Sequence, residues 1–154
     1  MNQITQSTIS ELSVVETLPL DQHPAAVYLA GLKERSRRPQ KQALETIAGL
    51  MTDNRLNVIE FPWHKLRFQH TQAIRSKLIN TNFKPATVNR SLSALRGVLR
   101  AAWRLELMTS EEYHRAIDVK SVVSSTIPAG RELSSGEISA LMGDCENDPT
   151  PAGC

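Results

Sequence analysis

Asn89, Ser93, Arg96, Arg100 and Arg104 recur every three or four residues. At 100° per residue they fall within about 80° on one face of a helix. Guanidinium groups on such a face bond phosphates or read guanine edges, and an asparagine amide offers the donor–acceptor pair that matches adenine. The helix that carries them runs from about Ala86 to Leu107. At roughly 22 residues it is about 33 Å long, enough to lie in or across a DNA major groove. Small neighbours, Ser93 and Gly97, are expected to let the backbone approach a duplex closely. Arg35, Arg37, Arg38 and Lys41 form a second basic group. Helix N-termini near Arg38 and Thr87 add backbone N–H donors for phosphate. The alternative is a solvated face whose arginines pair with Glu106, Glu111 or Glu112.

Other chemistry finds no support. There is no glycine-rich phosphate loop, HExxH, CxxC or nucleophile-elbow serine. His23, His64, His70 and His114 are scattered without metal-ligand spacing, and Cys145 and Cys154 have no nearby histidine. No metal, no cofactor and no self-contained active site are expected.

The elements that position the basic face are helical. Pro24 suits the first turn of a helix, in which Val27, Tyr28, Leu29 and Leu32 recur on one side. Ser36-Arg37-Arg38-Pro39 is expected to break it and open a second helix, with Ala43, Leu44, Ile47, Leu50 and Met51 as its buried stripe. Thr52-Asp53-Asn54 ends that helix. Val58, Ile59 and Phe61 are too quickly closed by Pro62 to be a strand, so they read as a loop, with Trp63 and Leu66 plugging the core. A third helix is expected from about Thr71 to Asn80, with Ile74, Leu78 and Ile79 inward. The long fourth helix buries Val88, Leu92, Leu95, Leu99, Ala102 and Trp103. Thr109 or Ser110 caps a short fifth helix. The class is all-α, a bundle of four to five helices.

The chain has 154 residues, 40% of them hydrophobic and 22% charged. That suits one globular domain with appendages. No apolar run approaches the length of a membrane span, and the N-terminus lacks a secretory pattern. With both cysteines at the C-terminal end, a cytoplasmic location is the default. The net charge of +2 hides a strong asymmetry: residues 23–120 hold 17 of the 18 Lys and Arg but only 8 of the 16 Asp and Glu. A basic middle between acidic ends suits an anionic partner. The expected organisation is a flexible tail over 1–22, a bundle over 23–118, a linker over 119–130 and the start of a further, truncated domain over 131–154. In that last part the Ser134–Glu137 spacing predicts a capped helix. Its face of Ile138, Leu141 and Met142 has no further sequence to complete a core.

Three segments resemble a known family. Ala26–Leu32 with Ser36–Lys41 and Ala43–Leu50 is similar to the opening of the core-binding domain of tyrosine recombinases, the phage-integrase and Xer-like enzymes. Lys84-Pro85-Ala86-Thr87-Val88-Asn89-Arg90-Ser91-Leu92-Ser93-Ala94-Leu95-Arg96 resembles the pattern that leads into that domain's long fourth helix. Gly130-Arg131-Glu132-Leu133-Ser134-Ser135-Gly136-Glu137-Ile138 looks like the start of the family's catalytic domain. The resemblance implies a SAM-like bundle forming half of a clamp around double-stranded DNA in integration and recombination. It implies DNA contacts at Arg37, Arg38, Lys41, Lys84, Thr87, Asn89, Arg90, Arg96 and Arg100, with Arg131 at the linker exit. Helix-face arithmetic selects an overlapping set and puts Arg90 at the edge of the stripe.

The family's catalytic residues would lie beyond Cys154, and neither Tyr28 nor Tyr113 matches the nucleophile's context. The chain is therefore expected to bind DNA without cleaving it, as a monomer or weak dimer. The full-length parent is expected to act as a tetramer through a 3'-phosphotyrosine intermediate. A different reading is a helical protein–protein module whose basic bundle meets an acidic partner, favoured by the apolar face of Ile138, Leu141 and Met142. A stand-alone helix-turn-helix repressor fits less well, because no short turn joins two helices at the usual spacing.

Overall fold

The computed structural model describes residues 18–123 and 134–147. Its elements are α1 (Pro24–Ala30), α2 (Glu34–Thr52), a 3-10 turn (Trp63–Lys65), α3 (Phe68–Asn80), α4 (Pro85–Arg104), α5 (Ser110–Ala116) and α6 (Ser135–Asn147). Among the described residues the fold is all-α. Residues 18–123 belong to one compact unit; α6 belongs to another.

α4 is the centre of the first unit and packs against α1, α2, α3, α5 and the 3-10 turn. Val88, Ser91, Leu92, Ala94, Leu95, Val98, Leu99, Ala101 and Ala102 are all buried. At 100° per residue they span about 180° of arc, nearly twice the stripe that periodicity alone predicts. Small residues at 94, 101 and 102 make the wider face possible, because they let neighbouring helices approach closely. Trp103, expected inward, is instead 36% exposed. It lies at the rim of the buried arc in the last turn, where its ring stacks on Tyr113 at 4.9 Å and 5°. Ile79 is likewise at the surface, one position past the buried Leu78.

The first break in the chain falls at Gly31–Lys33 rather than at Ser36–Pro39. α2 starts at Glu34 and runs through Pro39. Pro39 sits early in the helix, so its missing N–H deprives only the Arg35 carbonyl of a partner. Arg37 helps close the break: its Nε donates to the Leu32 carbonyl at 3.0 Å and its Nη2 to that of Ala30 at 3.2 Å. At the other end, Lys77 of α3 donates to the Leu50 carbonyl at 2.8 Å, which caps the last turn of α2.

The loop after α2 plugs the core as expected. Trp63 and Leu66 are fully buried, and the Trp63 indole N–H donates to the Val58 carbonyl at 2.8 Å. α4 starts on Pro85 with no side-chain cap, while the starts of α1, α3 and α5 each have one. His23 Nδ1 accepts from Ala26 N at 3.4 Å, His70 Nδ1 from Arg67 N at 2.9 Å, and Thr109 forms a reciprocal capping box with Glu112. The Ser134–Glu137 box at the start of α6 also forms, at 3.3 and 2.9 Å. Within its own unit α6 presents Ile138, Leu141 and Met142 to the surface. Residues 1–17, most of the expected tail, and 124–130, most of the expected linker, lie outside the described residues.

Candidate nucleic-acid interface

The basic start of α2 and the basic face of α4 meet at Tyr28. Its ring lies over Gly97 so closely that a Cβ there would be 2.2 Å from Cε2 and 2.9 Å from the hydroxyl oxygen. The same hydroxyl donates to Gln40 Oε1 of α2 at 3.3 Å. Gln40 and Gly97 therefore face each other across one side chain. Arg37 lies about one turn before Gln40, while Ser93 and Arg100 lie about one turn either side of Gly97. The gap left by Gly97 receives Tyr28, which corrects the expectation that this glycine admits a duplex backbone.

On α2 and α4 several cations lack a carboxylate among the described residues. Arg35, Arg38, Lys84, Arg90 and Arg104 are exposed, and their side chains make no hydrogen bond or ion pair with another described residue. Lys41 reaches Glu45 at 3.7 Å, but both side chains are more than half exposed. Such a pair is worth only about 0.3–0.5 kcal/mol and leaves Lys41 available. Arg37 is exposed although two of its donors serve the end of α1. Thr87 is half-buried in the first turn of α4, on the core side of the stripe. Arg131 lies outside the described residues. Of the three acids considered as partners for these arginines, Glu112 pairs with Arg67 at 2.8 Å and Glu111 pairs with Arg115.

The other edge of the α4 stripe is occupied from within. Asn89 Nδ2 donates to the Val122 carbonyl at 2.8 Å, and its Oδ1 accepts from Val122 N at 2.7 Å. The donor–acceptor pair that would read an adenine edge is thus occupied by the Val122 main chain. Arg96 Nη2 donates to the Val119 carbonyl. From α3, Gln72 donates to the Asp118 carbonyl at 2.9 Å and Arg75 to that of Lys120 at 2.7 Å. Four side chains from two helices hold 118–122 in place, and Val119 is buried. The segment expected to begin a linker at 119 is therefore strapped to the bundle. Gln72 and Arg75 were not singled out from sequence. Their partners are carbonyls, which carry no residue signature.

Arg100 donates from Nε to the Tyr113 hydroxyl at 3.3 Å, which further favours its charged form. Burial raises the Tyr28 phenol pKa as well, which keeps that hydroxyl a neutral donor to Gln40. A separate groove of about 1070 Å³ lies between the start of α3 and α5, lined by Arg67, Phe68, Glu112, His114 and Arg115 among others. The Arg67–Glu112 ion pair lies within it. Among the described residues no group of His, Cys, Asp and Glu is placed to hold a metal ion. No described helix is long and apolar enough to cross a membrane. The chain matches no protein-family model, no curated protein and no solved structure.

Proposed function

We propose that this chain is a DNA-binding module, similar to the SAM-like core-binding domain of tyrosine recombinases, that grips duplex DNA without itself breaking it. The observation that carries the reading is the junction at Tyr28. It ties α2 at Gln40 to α4 at Gly97, and Arg38 of α2 with Arg90 and Arg104 of α4 have no carboxylate among the described residues. Exposed arginines with no carboxylate partner among the described residues are the footprint of a phosphate-binding protein. The recombinase part of the proposal rests on the sequence resemblance. With it come a cytoplasmic setting and a larger parent that assembles as a tetramer on DNA.

The test is fluorescence anisotropy of a labelled duplex titrated with the chain from low to physiological salt. If about five phosphates are neutralised, log K falls with log salt at a slope of about −4.5. Arg38→Glu with Arg90→Glu abolishes binding while far-UV circular dichroism stays unchanged. A folded chain that binds no duplex at low salt would refute the proposal. The second reading, a helical module for an acidic protein partner, is favoured by the exposed Ile138, Leu141 and Met142 of α6. A tight complex with an acidic protein, together with no duplex affinity, would select it.

A further inference from the structure

Arg75 and Arg96 come from different helices yet donate to the carbonyls of successive residues, Lys120 and Val119. Two guanidinium groups thereby converge on one short stretch of main chain, and neither forms an ion pair with a described acid. Their acceptors are neutral, so neither positive charge is compensated by an acid among the described residues. A guanidinium carries five donors, and each arginine has donors left over. Charge-assisted bonds to a phosphate are roughly twice as strong as bonds to neutral acceptors. Asn89 lies two turns before Arg96 on the same face of α4, its amide held by the Val122 main chain.

We propose that Lys120–Val122 is a displaceable lid over a phosphate-binding site formed by Arg75, Arg96 and Asn89. This rests on the reading of the chain as a duplex-binding module and extends its surface from the open edge of α4 to the covered one. Val119 is buried and stays as the hinge, while Lys120, Ser121 and Val123 are exposed. Peeling back from Val123 frees first Asn89 and then Arg75. Arg96 can accept a phosphate on its remaining donors without releasing Val119. A phosphate that takes the Asn89 amide or Arg75 Nε therefore competes with the lid for those groups, and apparent affinity is the intrinsic affinity multiplied by the fraction of time the lid is open.

The experiment follows hydrogen exchange at the Val122 amide, which donates to Asn89 Oδ1, in the whole chain with and without a saturating mixed-sequence duplex. Exchange is expected to accelerate about tenfold on binding, within the usual range for coupled sites. In parallel, Val122→Pro removes the donated N–H and is expected to tighten duplex binding by about tenfold at unchanged helicity. Val122 exchange that is unchanged or slower under saturating duplex would overturn the lid and leave the DNA-binding reading intact. Should the native chain bind no duplex, inorganic tripolyphosphate replaces it as the probe. Faster exchange at Val122 then supports the lid without DNA, and no acceleration overturns it.

Discussion

Gly97→Ala sets two physical effects against each other. In an exposed helix interior, replacing glycine with alanine stabilises by about 1 kcal/mol. Here the added methyl would lie 2.2 Å from Tyr28 Cε2 and 2.6 Å from Cζ. Ordinary contacts begin near 3.4 Å, so the ring must retreat by roughly 1 Å or more. Retreat breaks the 3.3 Å bond to Gln40, worth about 1 kcal/mol. It also disturbs the packing of α1 on α4, and overpacking typically costs about 1–3 kcal/mol. Steric loss wins, with a net destabilisation of about 1–3 kcal/mol. Urea unfolding followed by circular dichroism reads it directly. The decisive control is the Tyr28→Ala background, where the clash is gone and Gly97→Ala should stabilise by about 1 kcal/mol. Stabilisation by Gly97→Ala in the native background would refute the reasoning. So would equal destabilisation in both backgrounds. Loss of duplex affinity at unchanged stability would restore the expectation that this glycine serves close approach of DNA.

Other perturbations follow from the same geometry. Leu95 is buried on the central helix, so Leu95→Ala should cost about 2–5 kcal/mol in urea unfolding. Thr109→Ala removes the acceptor for Glu112 N at 3.2 Å and should cost about 0.5–2 kcal/mol, read as a lower melting temperature. His23 has its pKa lowered below 6.5, chiefly by burial; a hydrogen bond to the Ile59 backbone opposes this, and His64 adds to it. The unfolded state therefore takes up the proton first. His23 contributes stability that is complete above about pH 6.5 and is lost as pH falls through the lower folded value. His23→Asn keeps a capping acceptor and removes that titration, so melting temperature should vary less with pH below about 6.5 than in the native chain. Asn89→Ala severs both bonds to Val122; limited proteolysis should then cut near 120–123 faster, while the rest of the bundle stays resistant.

The helices were readable because each carries its own local signals. Pro24, the Thr109–Glu112 and Ser134–Glu137 spacings, and the three-and-four rhythm of Leu92, Leu95 and Leu99 act within a few residues of chain. So did the loop anchor at Trp63 and Leu66, where large apolar residues stand beside a proline. Pro39 misled, because a proline signals a helix boundary without saying whether the boundary lies before it or several residues earlier. Ile79 and Trp103 misled for a related reason. Periodicity places a residue on an arc, but the width of the buried arc depends on how many neighbours surround the helix.

The sequence by itself determined the helical class, the concentration of positive charge in residues 23–120 and the arginine-bearing face of α4, all of which follow from composition and spacing along one chain. Only the tertiary structure decided which of those polar groups are open. Asn89 and Arg96 share a helix face with Arg104, yet the first two are held by the main chain of 119–122, and Gly97 is filled by a ring from α1. A side chain's type tells what it can bond. Whether a partner reaches it first depends on carbonyls and rings that return from distant parts of the chain, and main-chain acceptors leave no mark in the sequence.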